Sequence, residues 1–119
     1  MWIFTQDGFV SAVDNGMVPG KLAVRARDKE SLALLAELTG AEIQEFEGTD
    51  YEYRVHVTRE ELTQWMTMNI ETLDYSNFKN RVWASRGEVF HDACSEVWGV
   101  MLQVSDKRDY TKRVPIFGK

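Results

Sequence analysis

One cysteine, two histidines and two prolines among 119 residues leave this chain poor in the groups that most often carry chemistry or staple a fold. A lone cysteine cannot close an internal disulfide, so a stapled, secreted scaffold is excluded. A structural zinc needs four ligands, and Cys94, His91 and His56 are too few soft donors for one. No metal or other cofactor is implied. No apolar run approaches the roughly 20 residues of a membrane span, and the first residues lack a basic segment followed by an apolar block. The cytoplasm is the default compartment. The chain also has no phosphate-binding glycine loop, no GxSxG elbow and no HExxH pair.

His91 and Cys94 are spaced for contact on one helix, yet a cysteine nucleophile also needs an orienting group that this spacing does not supply. The paired acids Glu60 and Glu61 suit the first turn of a helix, where the backbone dipole favours carboxylates. Enzymatic activity has no local motif behind it, although a site of scattered residues would leave none. The balance favours a protein that is not an enzyme.

What the chain does have is a globular balance, with 44% hydrophobic and 28% charged residues. Four Trp, four Tyr and six Phe give ample bulk for one core, and most of them are expected inside it. The net charge of −5 argues against broad binding to nucleic acid or to anionic membrane. That charge is uneven. Residues 105–119 sum to +3 and the rest to −8, with −5 concentrated between Glu42 and Glu61.

Element signals follow in order along the chain. MWIFTQDGFVSAV reads as a strand bent or bulged at Gly8, and Asp14-Asn15-Gly16 with Pro19-Gly20 marks a turn. KLAVRAR alternates Leu22, Val24 and Ala26 against Lys21, Ala23, Arg25 and Arg27, giving a half-buried strand with a basic outer face that forms a hairpin with the first. Asp28 is placed to cap a helix carrying Leu32, Leu35 and Leu38, ended by Gly40. A weak acidic strand, Ala41 to Glu47, precedes the turn Gly48-Thr49-Asp50. YEYRVHV then puts Tyr51, Tyr53, Val55 and Val57 on one face and Glu52, Arg54 and His56 on the other.

Thr58 and Glu61 have capping-box spacing, and Leu62, Trp65, Met66, Asn69, Ile70 and Leu73 follow at helical intervals. In LDYSNFKNRVW, Asp74 can cap a turn that packs Tyr75, Phe78 and Val82 and leaves Asn77 and Lys79 outside. A final helix from Glu88 to about Val104 stacks Phe90, Cys94, Val97, Trp98 and Met101. In the tail, Tyr110, Ile116 and Phe117 are candidates for docking on a partner.

These signals predict an α+β protein with an antiparallel sheet of about four strands in ββαββ order, packed by helices and followed by C-terminal helices and a short tail. Residues 1–104 form a single domain in this scheme, and 105–119 a basic tail.

Three surfaces are candidates for function. The acidic stretch with Glu45, Glu47, Asp50 and Glu52, joined by Asn77 and Lys79, would bind a larger cytoplasmic protein or complex with a basic surface. A solvated face and an amphipathic helix explain the same residues without any partner. A pocket assembled from Arg25, Arg27, Tyr53, Arg54 and His56 would suit an enzyme or a small-molecule binder. Lys21, Arg25, Arg27 and the basic tail would suit a nucleic-acid accessory protein, a class that the net charge disfavours.

MWIFTQDGFVSAV, LAVRARD, GTDYEYRVHVTREE, LDYSNFKNRV and EVWGVMLQV together resemble a family of small, uncharacterised bacterial and phage proteins. The resemblance implies a shared α+β fold and carries no activity with it. By analogy with small phage inhibitors, an acidic module of this kind would inhibit or modulate a nucleic-acid-handling or defence complex of a host.

Overall fold

In the computed structural model, residues 1–106 are described. The basic tail expected from Ser105, with Tyr110, Ile116 and Phe117, therefore lies almost wholly outside the described residues. The chain divides into two compact units, Met1–Ser76 and Asn77–Lys119.

The first unit is a five-stranded, fully antiparallel sheet with two helices. Its strands are β1 (Trp2–Thr5), β2 (Gly8–Val13), β3 (Leu22–Ala26), β4 (Gln44–Glu45) and β5 (Tyr53–Val57), ordered β1-β2-β3-β5-β4. The α+β class holds, with one strand more than the sequence signals indicated. The stretch from Met1 to Val13 is not one bent strand. It doubles back through Gln6-Asp7, and Thr5 pairs with Gly8. Gly8 has φ 152°, outside the range natural to other residues, and Asp7 N–H donates to Thr5 Oγ1 at 3.2 Å. A polar pair followed by glycine thus closes a tight hairpin rather than a bulge. The expected hairpin between this region and KLAVRAR is present, with Ser11 opposite Arg25 and Val13 opposite Ala23.

Helix α1 (Glu30–Thr39) starts where Asp28 Oδ1 accepts the Ser31 amide at 2.9 Å, and it stops at Gly40 in the left-handed region, φ 72°. Helix α2 (Arg59–Glu71) has the complete capping box: Glu61 N–H donates to Thr58 Oγ1 and Thr58 N–H to Glu61 Oε1.

Alternation in the strands and helical spacing in α1 and α2 aim Val10, Val24, Val55, Val57, Leu32, Leu35, Leu62 and Trp65 into one core. Each such side chain contributes roughly 1.5–3 kcal/mol by leaving water. Leu38 departs from its expected stripe and is 49% exposed, in the last turn of the ten-residue helix. Tyr53 packs at the border of this core, while Tyr51, two residues earlier, precedes the strand.

The second unit contains α3 (Phe78–Arg86), α4 (Glu88–Met101) and a 3-10 turn at Leu102–Val104. The cap of α3 is Asn77, whose Oδ1 accepts the Asn80 amide at 3.0 Å. Asp74 was expected in that role, but Asn77 stands three residues before the amide that needs an acceptor. A single residue, Gly87 at φ 84°, separates the two helices. Ring contacts tie them together: Trp83 meets His91 edge-on at 4.9 Å, Lys79 Nζ lies 4.7 Å over Trp98, and Arg86 lies 4.7 Å over Phe90.

Val82 and Cys94 are the buried hydrophobic side chains of α3 and α4. Val97, Trp98 and Met101, expected to pack with Cys94, are exposed instead. The general expectation for aromatics fails in the same way, since Trp65 alone of the four tryptophans is buried.

Candidate functional site

Strand register decides which side chains share the sheet face turned away from the core. Reading across the strands, Trp2 stands opposite Ser11, Ser11 opposite Arg25, Arg25 opposite Arg54, and Arg54 opposite Gln44. In the next row of the same face Val13 pairs with Ala23, and Ala23 with His56. Arg25, Arg54, His56 and the small Ala23 therefore occupy the corners of a square on the two inner strands β3 and β5. Neighbours across strands are about 5 Å apart and neighbours along a strand about 7 Å.

Two arginines directly opposite each other repel, at a cost of roughly 0.2–1 kcal/mol when unscreened by a partner. Arg25 Nη2 donates to Ser11 Oγ at 2.8 Å, and its guanidinium lies 4.6 Å from the centre of the Tyr51 ring. Arg54 lies 4.8 Å from the Phe46 ring. Among the described residues neither arginine has an ion-pair partner, for Asp50 is engaged by Arg27 at 3.3 Å and Asp14 by Arg59 at 3.1 Å. Arg25 Nε, Arg54 Nε and His56 Nε2 are buried and have no hydrogen-bond partner among the described residues. A buried polar atom left in that state costs about 1–3 kcal/mol.

The His56 imidazole is held below the ordinary histidine value of 6.5, first by burial and then by the charges of Arg54 and Lys21. The folded state therefore favours the neutral ring, and the unfolded chain takes up the proton first. As pH falls below about 6.5, stability is expected to fall, with the loss complete once the folded-state ring is also protonated. Urea midpoints at pH 7.5 and pH 5, compared with those of His56→Gln, check this. The substitution should remove part of the difference, and an unchanged difference would assign it to other groups.

Of the residues proposed for a pocket, Arg25, Arg54 and His56 come together as described. Arg27 lies just past β3 and stacks on the same ring as Arg25, 4.5 Å from the centre of Tyr51. Tyr53 does not join them. It pairs with Ala26 and Glu45 on the helix-side face, with Lys29 Nζ 5.7 Å over its ring. Its hydroxyl pKa is raised, chiefly by the Glu45 carboxylate and then by burial. Tyr51, Ser11 and Phe46 take the place that sequence reasoning gave to Tyr53. The alternations of KLAVRAR and YEYRVHV were the local signals for this face, and neither says which strands pair, because partners on other strands carry no local mark.

The acidic candidates are arranged around the β4–β5 connection. Glu45 stands on the two-residue edge strand, Glu47 and Asp50 are exposed in the turn, and Glu52 is half-buried just before β5. Asn77 and Lys79 belong to the second unit, where Asn77 caps α3 and Lys79 covers Trp98.

A groove of about 160 Å³ runs between β1 and α2, lined by Ile3, Phe4, Trp65, Met66, Ile70 and Leu73 among others. That is below the roughly 300 Å³ at which ligand pockets usually begin. Cys94 is buried, and burial raises its thiol pKa although Arg86 pulls the other way, so the thiolate is disfavoured. His91 Nδ1 lies 3.0 Å from Asp92 Oδ1. No group of three or more His, Cys, Asp or Glu side chains is placed to hold a metal ion among the described residues. No helix among them is long and apolar enough to cross a membrane.

These features define a class: an α+β protein whose single antiparallel sheet carries helices on one face and an arginine-rich, partly aromatic surface on the other. No protein-family model, curated protein or solved structure matches the chain.

Proposed function

We propose that this chain is a non-enzymatic protein-interaction module that covers a basic surface on a larger cytoplasmic protein or complex. The target class that fits is a nucleic-acid-handling or defence complex, which the module would inhibit or modulate in a phage or mobile-element setting. The observation that supports this reading best is the β4–β5 connection, where Glu45, Glu47 and Asp50 are exposed within six residues. Among the described residues Glu45 and Glu47 have no basic partner within ion-pair distance. Carboxylates gathered on one short connection steer encounter with basic patches and favour a partner of matching charge.

The test is Glu45→Lys combined with Glu47→Lys. Both positions are exposed, so the fold should tolerate the change. Recovery of a stoichiometric partner from nuclease-treated host lysate is expected to drop at least ~10-fold, equivalent to about 1.4 kcal/mol. Wild-type recovery should also weaken as salt rises. Equal recovery by the charge-reversed protein would overturn the proposal.

A further inference from the structure

We infer that the sheet face opposite α1 and α2 binds the phosphate group of a small phosphorylated molecule between Arg25, Arg54 and His56. This site adjoins the acidic hairpin but rests on other charged side chains, and it stands whether or not that hairpin binds a protein.

The register sets the argument. Arg25 and Arg54 are direct partners on adjacent strands, and His56 is two positions beyond Arg54 on the same face. Lys21 adds charge close enough to influence His56. Glu52, the nearest carboxylate along this face, makes no ion pair with either arginine. Tyr51 and Phe46 take the flat faces of the two guanidinium groups, so the ring contacts occupy their π-surfaces and leave N–H edges without acceptors. Ala23, opposite His56, projects only a methyl group and is fully buried, so it adds no competing polar group. Two fixed cations, two guanidinium Nε–H groups and an imidazole nitrogen, all three without a partner among the described residues and collected on one small area, are complementary to a compact dianion.

The donor set also selects among anions. A carboxylate has one charge and two oxygens, which a single arginine fork satisfies. A phosphate monoester has close to two charges and three free oxygens, matching two guanidinium forks and an imidazole. A long polyanion is a poor match, because the chain carries −5 overall and the acidic hairpin adjoins the arginine strand β5. The aromatic side chains beside the arginines suit a ligand whose phosphate is attached to a flat or apolar body.

Phenyl phosphate serves as the probe, titrated at low ionic strength into isotopically labelled full-length protein in a buffer free of phosphate. Benzoate and a ten-nucleotide single strand are run in parallel. Saturable shifts of the Arg25 and Arg54 Nε–H and His56 ring signals are expected with phenyl phosphate, with an affinity in the millimolar range. Benzoate should bind at least ~10-fold more weakly.

Arg54→Gln should lose at least ~10-fold in affinity for phenyl phosphate while melting no lower than the wild type, since it removes a like-charge pair. Loss of binding then cannot be ascribed to loss of fold. No shift at the three residues, an equal response to benzoate, undiminished binding by the variant, or tighter saturable binding of the oligonucleotide would each overturn the inference.

Discussion

Replacing Trp65 with alanine is expected to destabilise the first unit by about 3–5 kcal/mol, the range for deleting a large aromatic from a packed interior. Trp65 is 2% exposed and lies in the core with Leu32, Leu35, Leu62 and the valines of β2, β3 and β5. A typical domain has only about 5–15 kcal/mol of total stability, so one such cavity removes a large share of it. Trp2→Ala gives the contrast, because Trp2 is 72% exposed and meets Phe9 only edge-on, at 5.7 Å. An edge contact of that kind contributes about 0.5–1.5 kcal/mol. Chemical denaturation of both variants, followed by far-ultraviolet circular dichroism, checks the ranking. A Trp2 effect as large as that of Trp65 would mean the core has been misplaced.

Val24→Asp is expected to have a still larger effect and to leave no folded first unit at neutral pH. Val24 is fully buried on β3, the middle strand of five, with Ala12 and Val55 as its partners on either side. A carboxylate there has no cation on its own face of the strand, since Arg25 points to the opposite one. Burying an unpaired charge costs more than a single domain has to spare, and the side chain escapes only by protonation or by unfolding. Phe4→Asp, on the other face and 38% exposed, should cost far less and mainly lose its stack on Phe9 at 4.6 Å. Proton spectra of the two variants distinguish the outcomes directly. Dispersed signals from Val24→Asp would refute the assignment of β3 to the centre of the core.

Both predictions depend on which face a side chain occupies, and here the two kinds of knowledge separate. Local signals in the sequence were enough for the elements. YEYRVHV alternates so cleanly that Val55 and Val57 had to share a face, and the structure buries both. Thr58 and Glu61 form their capping box because its two hydrogen bonds span only three residues. Gly40 ends α1 for an equally local reason, a backbone angle that other residues resist.

Where local chemistry allows two answers, pairing and packing beyond the segment choose between them. Gln6-Asp7-Gly8 suits a bulge as well as a turn, and only the pairing of Trp2–Thr5 with Gly8–Val13 settles it. Asp74 and Asn77 are both good caps, and the start of α3 at Phe78 selects the second.

The exposed apolar residues were hidden for another reason. Phe90, Cys94, Val97, Trp98 and Met101 form a proper helical stripe, but a stripe states only that a helix is amphipathic. Whether anything covers it depends on elements far away in the chain, and here Trp98 remains 61% exposed.

The sequence by itself determined the α+β class, most of the helix boundaries and the alternation that sends valines inward, because each is set by contacts within a few residues. Only the tertiary structure placed Arg25 opposite Arg54 and took Tyr51 off the face it was expected to share with Tyr53, setting it beside the arginines. Those placements follow from strand register between segments some 29 residues apart, and pairing across that distance is fixed by the assembled sheet as a whole.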